Sequence, residues 1–121
     1  MRVTTLVIIG AIALLVGPGL AMAHAMLGKA SPPAGGTVNV APAELELTFS
    51  QALEPRFSSI SVTDEAGRRV DKGDPHTVAG DPKRLGVSLG PMPAGRYNVI
   101  WQATSVDTHK TEGTYNFIVK P

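Results

Sequence analysis

The sequence predicts an all-β fold, a two-sheet Greek-key sandwich, and three observations predict it. Short segments alternate apolar and polar residues with a period of two, which buries one face of an antiparallel strand. Proline- and glycine-rich turn signals separate these segments at regular intervals. After residue 23 no stretch sustains an apolar stripe of helical period. Regularly spaced short strands in about 100 residues favour two packed sheets over one open sheet.

The strands follow in order. Leu45, Leu47 and Phe49 alternate with Glu44, Glu46 and Thr48. Ile60 and Val62 repeat the pattern, followed by Leu85, Val87 and Leu89. The longest run is Tyr97, Val99, Trp101 and Ala103, and the last is Tyr115, Phe117 and Val119. Turn signals lie at Ser31–Gly36, Glu65-Ala66-Gly67, Gly73-Asp74-Pro75, Gly80-Asp81-Pro82 and Pro91–Gly95. Trp101, in register with Tyr97 and Val99, is expected in the core. Met26 and Met92 are expected to be packing residues, since two scattered thioethers do not make a Cu(I) site. His76 falls in a polar, proline-flanked loop and is expected to face solvent.

Residues 1–23 have the three parts of a secretory signal peptide: Arg2, the apolar run Leu6–Val16, and the small-x-small site Ala21-Met22-Ala23 after a Gly17-Pro18-Gly19 break. The competing reading is an uncleaved anchor, but the apolar run is shorter than the roughly 20 residues that span a bilayer. Cleavage before His24 leaves residues 24–121 as a single domain. That is long enough for one core and too short for two. The chain carries 11 Lys and Arg and 10 Asp and Glu. With Arg2 in the leader, the remainder is balanced, so neither nucleic acid nor an anionic membrane surface is implied as a partner. Cysteine is absent. The exported domain therefore relies on packing rather than disulfides, and offers no thiolate to Cu(I) or structural zinc.

His24 is the residue that cleavage would turn into a new N-terminus. A terminal histidine presents its α-amine and its ring Nδ1 together, and the two can close on one metal ion. Far along the chain, Asp107-Thr108-His109 places a carboxylate and an imidazole two residues apart, which on an extended strand project from one face. Taken singly, each is weak evidence, because an Asp-x-His pair is often only a hydrogen-bonded pair. Together they make a nitrogen-rich set with one oxygen. Such donors suit a tetragonal Cu(II) or Ni(II) centre, with Cu(II) heading the affinity order and zinc preferring a tetrahedral one.

The residues carry a resemblance. His24-Ala25 after the leader, Ser31-Pro32-Pro33-Ala34-Gly35-Gly36, Leu45-Glu46-Leu47-Thr48-Phe49-Ser50, Pro93–Trp101, and Ser105-Val106-Asp107-Thr108-His109 followed by Gly113 and Phe117 resemble the CopC family of periplasmic copper-binding proteins. The resemblance implies a Greek-key β-sandwich of seven strands or so, cupredoxin- or immunoglobulin-like, holding one Cu(II) per chain at one end. By position, His24 would supply its amine and ring nitrogen, Asp107 an oxygen and His109 an imidazole. It also implies a copper carrier or buffer in copper resistance, homeostasis or uptake, without turnover, beside an inner-membrane partner of the CopD type. Gln51 stands where some members have an acidic residue near the copper, and Lys110 where proline is frequent. The stretch Asp64–Leu89 has no methionine, which points to a member without a methionine-rich Cu(I) site. Two other readings stay open: a metal-free structural sandwich, and a copper oxidase built on a histidine brace.

Overall fold

Backbone hydrogen-bonding groups of a strand must find partners on neighbouring strands, so the alternating segments above can satisfy themselves only as sheets. The computed structural model describes residues 25–121 and contains eight strands among them. They are β1 (Leu27–Ser31), β2 (Thr37–Val38), β3 (Glu44–Phe49), β4 (Ser59–Thr63), β5 (His76–Val78), β6 (Asp81–Ser88), β7 (Gly95–Thr104) and β8 (Lys110–Val119). One sheet has the order β1-β3-β6-β5 and the other β2-β8-β7-β4. The chain crosses between sheets after β1, β2, β3, β4 and β6, giving the expected Greek-key sandwich. All described pairings are antiparallel except β2 with β8.

The period-two pattern sets which face is buried. Leu45, Leu47 and Phe49 of β3 and Leu85 and Val87 of β6 point inward from one sheet. Ile60, Val62, Tyr97, Val99, Trp101, Ala103, Phe117 and Val119 point inward from the other. Phe49 meets Trp101 edge-on across the layers, with ring centroids 5.2 Å apart, and Tyr97 stacks on Phe117 within one sheet. Trp101 lies opposite Gly113 in the β7–β8 ladder. A side chain at 113 would sit 2.6 Å from Cζ2 of that indole, so glycine leaves the space the tryptophan fills.

Three expectations need correction. β5 forms in the stretch expected to be a loop, because edge pairing with β6 needs a backbone partner more than an apolar pattern. His76 is consequently half-buried, and its Nε2 lies 2.5 Å from Glu44 Oε2. The turn expected at Gly80-Asp81-Pro82 is centred one residue earlier, on Ala79 and Gly80, both with positive φ, while Asp81 and Pro82 already belong to β6. Met92 packs in the core, but Met26 is 53% exposed, because the buried position at the start of the described chain is taken by Ala25.

Candidate metal centre

The longest strands, β7 and β8, form a hairpin, and its connection carries Asp107 and His109. The inward register Tyr97, Val99, Trp101, Ala103 continues to Ser105, which is completely buried. A polar side chain at such a position must find internal partners. Ser105 finds them in its own turn. Its hydroxyl donates to Asp107 Oδ1 and accepts from the His109 amide at 3.2 Å. Its backbone N–H donates to His109 O at 2.9 Å, and its carbonyl accepts from Thr108 N at 2.8 Å.

The Asp-x-His segment is therefore not extended, as the sequence suggested, but folded into a tight turn with Thr108 at φ 69°. The hydrogen bonds to Ser105 hold this left-handed conformation, which a threonine rarely adopts unaided. The turn still brings the two side chains together: Asp107 Oδ1 lies 3.3 Å from His109 Nδ1, and both groups are about half exposed. The Ser105 hydroxyl, and after it the imidazole of His109, hold the Asp107 carboxyl below the usual carboxylate range. Asp107 thus presents an anionic oxygen beside an imidazole at the solvent boundary.

Two other segments converge here. The link between β3 and β4 packs beneath the hairpin through Val106 N to Ala52 O at 3.1 Å and a bridge between Leu53 and Ser105. Ser50 of the same link ties down the start of the described chain, exchanging hydrogen bonds with Met26 in both directions. Thr111, two residues past His109, donates its hydroxyl to the carbonyl of Ala25 at 3.0 Å. Ala25 is fully buried against this end of the sandwich. Gln51 sits between Ser50 and Ala52, half-buried in the bend.

His24 lies outside the described residues. Among the described residues no three histidine or carboxylate side chains are grouped to hold a metal ion. Asp107 and His109 come together; His76 does not join them, being held by Glu44 and by the carbonyl of Asp74. Sequence reasoning passed over Ser105 and Thr111. The signal for Ser105 was available: it is a polar residue in the inward register of β7.

A family profile described as the CopC domain matches residues 27–120. The chain belongs to the CopC family. Copper resistance protein C of Escherichia coli is 37% identical over 107 residues, covering 83% of this chain and 84% of that protein. The crystal structure of CopC from Methylosinus trichosporium OB3b superimposes with a TM-score of 0.75 at 35% identity, over 81% of this chain and 95% of that one. That of PcoC, a methionine-rich copper resistance protein from Escherichia coli, gives 0.71 at 36% identity, over 80% and 99%. The CopC sandwich and this one are thus alike over most of the chain.

Proposed function

We propose that this protein is a periplasmic copper carrier or buffer that binds one Cu(II) per chain and has no turnover of its own. In this reading residues 1–23 are removed on export and His24 becomes the N-terminus. Its amine and ring nitrogen then join Asp107 and His109 in a tetragonal site. The observation that carries the proposal is the hydrogen bond from Thr111 to Ala25. It holds the residue that follows His24 against the strand that follows His109. Two side-chain donors alone make a weak site, and in this reading His24, next in sequence to Ala25, supplies two more.

Membership of the CopC family and the name of the Escherichia coli relative, a copper resistance protein, support copper as the metal. The donor set agrees, since amine, imidazole and carboxylate suit Cu(II). The PcoC relative is described as methionine-rich, whereas residues 64–89 here contain no methionine. The proposal is accordingly a Cu(II) site without a Cu(I) loop. A membrane protein of the CopD type is the proposed exchange partner.

The test is a Cu(II) titration with a competing chelator and electron paramagnetic resonance on protein shown by intact mass to begin at His24. One tight equivalent with a nitrogen-rich tetragonal spectrum is expected. It should be lost when one extra residue precedes His24, because the α-amine becomes an amide. Weak binding indifferent to that extension would leave a structural sandwich.

A further inference from the structure

Ser105 is the one completely buried polar side chain in the metal-bearing hairpin, and every hydrogen bond of its hydroxyl goes to Asp107 or His109. It donates to the Asp107 carboxylate and is also within 3.3 Å of the His109 carbonyl, while the His109 amide donates to it. Its backbone closes the same turn from both sides. The bridge to Leu53 anchors Ser105 to the neighbouring link, so the hydroxyl is a fixed point from which two half-exposed side chains are hung.

Asp107 has few other restraints. Its carboxyl is exposed and lies at the tip of a turn, where an aspartate ordinarily samples several rotamers. The Ser105 hydroxyl selects one of them, with an oxygen beside His109 Nδ1.

From this geometry we infer that Ser105 is a positioning residue for the copper site: its buried hydroxyl preorganises Asp107 and His109 in the metal-free protein. The inference rests on the copper reading above. Groups that orient ligands without touching the metal are worth on the order of 10- to 100-fold in affinity, and Ser105 stands in that relation to both side-chain donors.

Three measurements on protein beginning at His24 test it. In the metal-free protein, three-bond couplings should show Asp107 in one χ1 rotamer and Ser105→Ala averaging over several. This readout is independent of copper. By chelator competition, Ser105→Ala should bind Cu(II) about 10- to 100-fold more weakly and with a shifted paramagnetic resonance spectrum. In an Asp107→Ala background the same change should cost much less, because the group it orients is gone. If Ser105→Ala does not fold, Ser105→Cys keeps the volume with a weak donor and should show the same loss. A wild-type protein that binds no tight copper would overturn the carrier reading. Tight wild-type binding with an unchanged Ser105 variant, fixed Asp107 rotamers, or additive losses would overturn the role of Ser105 alone.

Discussion

Asp107 and Thr111 do different work at the proposed copper-binding end. The Asp107 carboxyl is held below its usual range by Ser105 and His109, so it is already ionised wherever the nitrogens titrate. Protons that compete with copper therefore come from the nitrogen donors. Copper affinity measured by chelator competition should fall steadily on acidification, because the nitrogen donors must shed their protons to bind. Thr111 contributes no donor; its hydroxyl bonds to Ala25 O. Replacing it with valine keeps the shape and removes about 1 kcal/mol of hydrogen bonding. Copper binding should weaken about fivefold, with the spectrum unchanged because no donor is lost.

Among the elements, β5 is weakly secured by its own sequence. It is three residues long and lies at a sheet edge. His76 secures it. Its Nδ1 bonds to the carbonyl of Asp74 at 2.6 Å and its Nε2 faces Glu44 Oε2 of β3, two strands away. The pair reaches across Gly86 of β6, where an added Cβ would lie 3.1 Å from that oxygen and 3.2 Å from Nε2. Both ring nitrogens face acceptors, so the protonated ring satisfies both. The Asp74 carbonyl first, and then Glu44, raise the pKa of His76. A raised folded-state value means that this stabilisation is complete below the unfolded value of about 6.5 and is lost as pH rises through the folded one. An NMR titration should place His76 above an ordinary imidazole and Glu44→Gln should lower it. The melting temperature of the metal-free protein should decline more over that window than that of His76→Asn.

At the scale of the whole molecule, packing and metal binding each make a measurable prediction. Gly113→Ala would drive a methyl into the buried indole of Trp101 and, as overpacking does, should cost about 1–3 kcal/mol in denaturant unfolding. Copper that binds only the folded chain at 100 times its Kd should add about 2.7 kcal/mol. For a domain of this size that raises the melting temperature by roughly 10–20 °C. A copper-loaded protein melting no higher than the metal-free form would mean that the fold does not assemble the site.

What the sequence alone determined is whatever repeats locally along the chain. Leu45-x-Leu47-x-Phe49 and Tyr97-x-Val99-x-Trp101 specify buried strand faces because side chains alternate with a period of two whatever the strand pairs with. The side-chain chemistry at Asp107 and His109 was equally plain, since it is a property of the residue. Tertiary structure decided the rest. β1 and β5 have no strong apolar alternation and exist because β3 and β6 offer them backbone partners. The turn at Thr108 takes a left-handed conformation that the sequence did not announce, because a buried hydroxyl at Ser105 binds both sides of it. His76 acquired Glu44, and Ala25 acquired Thr111, across separations of 32 and 86 residues. Such contacts depend on the register of several strands at once, and no local pattern encodes it.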